Sequence, residues 1–168
     1  MKPVVGILMG SDSDLPIMQE AARVLKDFGV SHEIEVTSAH RSPKRTRQYL
    51  ETARSRGLKL FIVGAGAAAH LAGVVAAETT LPVIGIPIDS SPLKGMDALL
   101  STVQMPPGVP VATMAVGKAG ATNAGILAVE ILALSDAELA KKLEVYKEKL
   151  ERTVAEKSDK MKREMLSQ

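Results

Sequence analysis

An open parallel β-sheet covered by helices on both faces is the fold class this sequence predicts. Two observations carry it. Short apolar runs rich in Val and Ile alternate with helix-periodic segments along the first two-thirds of the chain. Hydrophobic residues make up 46% of the chain but aromatics only 2%. The core must therefore be built from Val, Ile, Leu, Ala and Met, with Ala and Gly letting elements approach closely.

The elements follow in order. VVGILMG, Val4 to Gly10, reads as a strand buried on both faces. A helix over Asp14 to Phe28 places Leu15, Met18, Ala22 and Leu25 on one side, with Asp14 as N-cap, Pro16 in the first turn and Gly29 as the stop. HEIEVTS alternates as a second strand, and Pro43 opens a basic helix to Arg56, closed by Gly57. LFIVGAG is a third strand, followed by a small-residue helix over Ala67 to Thr79. VIGIPI is a fourth strand, with a loop containing Pro92 and Gly95 and a short helix over Met96 to Met105. After the PPGVP turn come a fifth strand, VATMAV, and an Ala-rich helix over Ala121 to Leu134. Right-handed crossovers leave few ways to order five such strands, and the flavodoxin-like order is expected: a three-layer α/β fold with a central parallel sheet.

The C-terminal end reads differently. Ser135-Asp-Ala-Glu138 forms a capping box, and Leu139, Leu143, Tyr146, Leu150 and Val154 mark the apolar side of a long, otherwise charged helix. That side serves either the chain's own domain or a subunit contact. Length and pattern together give one domain over 1–168, with 135–168 as a helical extension.

Composition excludes several functions. The absence of cysteine removes disulfides, thiolate catalysis and Cys-ligated zinc. His32, His40 and His70 lack a metal-ligand spacing such as HExxH. Net charge is +2 with no basic stripe interleaved with stacking aromatics, which argues against nucleic acid as a partner. MKPVVGILMGSDSD turns acidic too quickly for a signal peptide, and GAGAAAHLAGVVAAETT is interrupted by His and Glu before it could span a bilayer. A soluble cytoplasmic protein without membrane association is the expectation.

Ligands of open parallel sheets bind beyond the carboxyl ends of the strands. Three loops leaving such ends carry unusual residues. In GSDSD, Ser11 and Ser13 can donate to phosphate at a helix start, and Asp14 can accept from ribose hydroxyls; the competing reading is that these residues only cap the helix. In SAHRSP, Arg41 offers a bidentate phosphate fork, and His40 is the side chain in these loops that titrates near neutrality when unperturbed, suited to lose and regain a proton in one turnover. Ser38 lies beside them. In GAGAAAH, Gly66, Ala67 and Ala68 let a ligand approach the backbone, whose N–H groups can hold a carboxylate or carbon dioxide. His70 is expected to start the next helix bonded to local backbone. The same loop matches GxGxxA, with Asp89 ending the next strand, so a small dinucleotide-binding domain is the runner-up, although the match falls on the third strand. A non-catalytic module on the same fold is a further alternative, but VGAGA lacks the acidic cluster of a receiver.

With GSDSD, SAHRSP, GAGAAAHLAG and LLSTVQMPPGVPVATMAVGKAGATNAGILAVEIL in view, the sequence resembles the class I N5-carboxyaminoimidazole ribonucleotide mutases, over most of Val4 to Leu134. The resemblance implies an isomerase of purine biosynthesis that moves a carboxyl group from nitrogen to carbon on an aminoimidazole ribonucleotide. It also implies a flavodoxin-like protomer, a homo-octamer with sites near subunit contacts, and no metal or organic cofactor. It implies that Ser11, Asp14 and Arg41 bind substrate, that His40 is the essential histidine, and that the loop ending at His70 encloses the reacting carboxyl. Ser13 and Ser38 lie next to these positions. The chain departs from the family pattern at Ala67 (usually glycine), Ala72 (proline), Val74 (methionine) and Ala98 (serine). The related class II enzymes carboxylate the aminoimidazole ribonucleotide directly with carbon dioxide and typically carry lysine after the SAH histidine. Arg41 and AHLAG favour class I.

Overall fold

The computed structural model describes residues 2–166 of the chain. Five parallel strands run in the order β2-β1-β3-β4-β5, the expected flavodoxin-like order. They are β1 (Val5–Met9), β2 (His32–Val36), β3 (Leu60–Gly66), β4 (Val83–Ile88) and β5 (Ala112–Thr113). The helices are α1 (Leu15–Phe28), α2 (Pro43–Arg56), α3 (Leu71–Glu78), α4 (Met96–Val103), α5 (Lys118–Ala133) and α6 (Ala137–Leu166). The chain divides into two compact units, residues 1–129 and 130–168.

In the first unit, β1 and β4 are buried along their whole length and β3 along all but its last residue. These runs therefore read as continuous apolar segments rather than alternating ones. One face of the sheet packs Leu8, Phe61 and Val63 against Leu50 and Ala53 of α2, Leu71, Ala72 and Val75 of α3, and Ala98 of α4. The other face belongs to α1: Gly64 points at Met18, whose sulfur would lie 2.3 Å from any added Cβ. Bulk lost to the scarcity of aromatics is recovered by close approach, as where α5 crosses α1 at Gly125 and Val24. Helices α1 and α2 both end on left-handed glycines, Gly29 (φ 76°) and Gly57 (φ 106°), which close the last turn and send the chain back to the sheet.

Several elements differ from expectation. The fifth strand shrinks from Val111–Val116 to Ala112–Thr113, because β5 pairs with β4 only at those two positions. The third helix starts at Leu71 rather than Ala67: Ala67 takes a left-handed conformation (φ 51°) and the His70 N–H turns back to the Ala68 carbonyl. Asp14 makes no side-chain cap bond to α1 and instead belongs to a 3-10 turn over Asp12–Asp14.

In the second unit, the cap of α6 is Asp136 rather than Ser135. The Asp136 Oδ1 accepts from the N–H groups of Glu138 and Leu139 at 3.0 and 3.1 Å. On the apolar side of α6, Leu139, Leu143 and Tyr146 are half-buried while Leu150 and Val154 are exposed. No helix among the described residues is long and apolar enough to cross a membrane.

A buried hydroxyl pair fixes the start of α2 to the end of β2. Thr37 and Thr46, both 1% exposed, share a 2.7 Å hydrogen bond, and the Thr46 hydroxyl donates onward to the Ser42 carbonyl. Replacing Thr46 with valine leaves the buried Thr37 hydroxyl only a long 3.5 Å contact with the Ser42 hydroxyl, a loss of about 1–3 kcal/mol. Replacing both residues with valine removes that hydroxyl along with the bond. The unfolding midpoint in denaturant is expected to fall clearly for Thr46→Val and to recover toward wild type in the Thr37→Val/Thr46→Val double variant. A double variant that is less stable than the single would contradict this account.

Candidate functional site

Met9 pairs with Val36 on one side and Gly64 on the other; β1 and β2 end at that level and β3 runs two residues further, to Gly66, so the three loops leave the same edge of the sheet. Their loops emerge side by side around a cavity of about 270 Å³. Of the sequence-predicted residues, Ser11, Ser13, Asp14, Ser38, His40, Arg41, Gly66, Ala68 and His70 line it. Ala67 does not: it is exposed and outside the lining, so its methyl does not crowd the cavity.

The first loop is built by reciprocal capping. Ser11 is extended (φ −152°, ψ 154°) and its Oγ accepts from the Ser13 N–H, while the Asp14 Oδ2 accepts from the Ser11 N–H at 3.2 Å. Ser13 Oγ donates to Ser11 Oγ at 2.9 Å, and Ser11 Oγ to Asp12. The same residues thus cap the 3-10 turn and line the cavity. Asp14 is 5% exposed. Burial raises its carboxyl above the ordinary 3.8, against the lowering pull of the Ser11 N–H; Asp12 adds to the rise and Arg41 opposes it.

The second loop is held by serines. Ser42 Oγ accepts from the Ser38 N–H at 2.9 Å, and Ser38 Oγ accepts from the Arg41 N–H at 3.2 Å. These bonds aim Arg41 at the first loop, where its Nη2 donates to the Gly10 carbonyl at 3.1 Å. The guanidinium thus spans the gap between loops one and two.

The third loop holds the main departure from expectation. His70 starts α3 with its N–H on the Ala68 carbonyl, but its side chain does not stay local: its Nδ1 meets Nε2 of His40 at 2.6 Å, with the rings edge-to-face at 78°. The pair links loops two and three. One ring donates and the other accepts across this contact, so each fixes the other's tautomer. Sequence spacing gave no sign of it, since 30 residues separate the two. His32 lies elsewhere, bonded to the Val30 carbonyl.

Ser90 and Leu71 also line the cavity and were missed. Ser90 follows β4, the fourth strand, so the rule that selected the first three loops would have found it had it been extended one strand further.

Residues 4–153 match the family model described as AIR carboxylase. The chain belongs to the AIR carboxylase family. A relative from Bacillus subtilis named N5-carboxyaminoimidazole ribonucleotide mutase is 55% identical over 161 residues, which cover 96% of this chain and 99% of the relative. One of the same name from Pyrococcus abyssi is 58% identical over 150 residues, covering 89% and 85%. A crystal structure of Treponema denticola PurE superposes with a TM-score of 0.86 at 31% identity, covering 94% of this chain and 98% of that one. Read as an AIR carboxylase family member, the chain explains its own glycine substitution: the position held by Ala67 requires a positive φ, which glycine adopts freely.

The raised Asp14 carboxyl makes a pH prediction. The folded state holds this proton to higher pH than the unfolded chain does, so Asp14 contributes most below the ordinary carboxylate value. That contribution is lost as pH rises through the raised value. Asp14→Asn removes the titration. The stability difference between wild type and Asp14→Asn, measured by denaturant unfolding from about pH 3 to 7, is expected to shift against wild type as pH rises. A difference that stays flat across this range would refute the assignment.

Proposed function

We propose that this chain is an N5-carboxyaminoimidazole ribonucleotide mutase: an isomerase of purine biosynthesis that converts the N5-carboxylated ribonucleotide to its C4-carboxylated isomer. The observation that carries the reading is the mixed lining of one cavity: donors suited to phosphate and ribose, and a histidine pair beside an open backbone loop. The mutase-named relatives, matched over nearly their whole length, support the same reaction.

Ser11, Ser13 and Arg41 take the phosphate, with Ser38 holding the Arg41 backbone. Asp14 accepts from the ribose hydroxyls, since its carboxylate would repel phosphate. At the histidine pair the N–carboxylate C–N bond breaks, its electron pair stays on nitrogen, and His40 supplies the proton that nitrogen needs. The released carbon dioxide is held against the Gly66–Ala68 backbone. There C4 of the electron-rich ring attacks it, and the C4 proton returns to His40. Retention of carbon dioxide makes the second step effectively intramolecular. His70 holds His40 in orientation through the 2.6 Å contact. The reading calls for no metal and no organic cofactor. It places the chain in the cytoplasm as a homo-octamer, which the exposed apolar row Leu93, Met96, Leu100 and Val103 supports as a surface needing cover.

The test supplies the N-carboxylated ribonucleotide at ambient bicarbonate and follows the C4-carboxylated isomer. Wild type is expected to isomerise it efficiently, and to use the uncarboxylated ribonucleotide only at high carbon dioxide. The opposite preference would assign the chain to direct carboxylation. In the same assay His40→Asn is expected to lower kcat by about 10²- to 10⁴-fold while still binding nucleotide. Arg41→Ala is expected to act chiefly on KM, raising it by roughly 10- to 100-fold, the value of one charge-assisted contact.

A further inference from the structure

We propose that Ser90 is a further substrate-contacting residue of this site, the hydroxyl that donates to the migrating carboxyl group. The inference rests on the mutase reading above and deepens it.

Five serine or histidine side chains from the first three loops line the cavity, and each is engaged. Ser11 and Ser13 bond each other, Ser38 accepts from the Arg41 backbone, and His40 and His70 face one another. Ser90 also lines the cavity, but its Oγ makes no hydrogen bond among the described residues. Its place in the fold is specific. A Cβ built on Gly66 would lie 1.8 Å from Ser90 Oγ and 3.0 Å from Ser90 Cβ, so the hydroxyl rests in the space that a side chain at Gly66 would fill. Gly66 ends β3 and opens the backbone loop that faces the histidine pair. The lack of a side chain there therefore admits a free hydroxyl from β4 to the cavity that His40 and His70 line.

The reaction needs such a donor. The substrate N-carboxylate and the product C4-carboxylate are both anionic, and both accept hydrogen bonds well. Carbon dioxide between them accepts more weakly, but a donor already aimed at the carboxyl oxygens is in place to hold the released molecule beside C4 until the new bond forms. The guanidinium of Arg41 donates instead to the Gly10 carbonyl. Aspartate or glutamate at the position of Ser90 would repel the carboxylate, whereas a hydroxyl can donate and still rotate with the group as it moves. In each turnover the C–N bond breaks with its electron pair left on nitrogen, nitrogen gains one proton, the C4–carboxyl bond forms, and C4 loses one proton. Ser90 supplies a hydrogen bond throughout and exchanges no proton.

The distinguishing quantity is the fraction of turnovers in which carbon dioxide escapes, read as uncarboxylated ribonucleotide per C4-carboxylated product formed from the N-carboxylated substrate. Spontaneous decarboxylation is subtracted from an enzyme-free control. In Ser90→Ala this fraction is expected to rise roughly 3- to 10-fold, the worth of one hydrogen bond, and KM to rise by no more than the same factor, since the bond is also made to the bound substrate. Ser90→Thr keeps a hydroxyl and is expected to fall closer to wild type than Ser90→Ala. An unchanged escape fraction in Ser90→Ala overturns the proposal while leaving the mutase reading intact. So does a loss of kcat with no extra uncarboxylated ribonucleotide. A wild-type enzyme that does not isomerise the substrate at all overturns both.

Discussion

Parallel register at the middle of the sheet is the constraint on which the site depends. Met9 is flanked by Val36 and Gly64, so β1 and β2 end level, β3 ends two residues later, and the three loops leave the same edge of the sheet. No single loop makes a site. Arg41 becomes informative because its guanidinium reaches the Gly10 carbonyl, and His40 because loop three delivers His70 to its ring. A slip of one residue in the pairing of β1 with β3 would exchange the residues that face the two helix layers as well as part the loops, so the core enforces the geometry of the cavity.

The cavity is organised by fixed dipoles and hydroxyls more than by charge. Asp14 is the buried carboxylate, and the Ser11 N–H holds it in place. Small residues then bring backbone to within reach of a ligand, as at Gly66 and Ala68. Such a surface suits a reaction whose migrating group is briefly neutral, because a strong cation beside the carboxyl would stabilise the starting anion more than the species released from it.

Much of this architecture was legible in the sequence. Strands β3 and β4 and helix α2 begin and end where apolar runs, Pro43 and Gly57 place them, since these boundaries depend on local chemistry. The strand order followed from crossover handedness. Legibility failed where nonlocal pairing decides. VATMAV has the pattern of a full strand, yet β5 sits at the sheet edge, and β4 pairs with only two of its residues. The sequence around Ser135 satisfies a capping box, but the neighbouring Asp136 has the geometry to cap. His70 was expected to find backbone nearby, and its N–H does; its ring's partner lies across the fold, and spacing along the chain carries no information about such a contact. Ser90 was passed over because the loop after the fourth strand was not weighed with the first three.

Ala67 shows that a position suited to glycine need not hold one. Its left-handed backbone costs an alanine about 1–2 kcal/mol in the folded chain. Glycine would avoid that strain, but it would also give the ligand-free loop more backbone conformations to lose, a difference of about 0.4–1 kcal/mol. The second effect offsets only part of the first. There is also a difference in character: with alanine, the segment beside the histidine pair explores fewer shapes before a ligand arrives, and less motion is left for the ligand to freeze out. A methyl group pointing into solvent can therefore influence association at a cavity it does not touch.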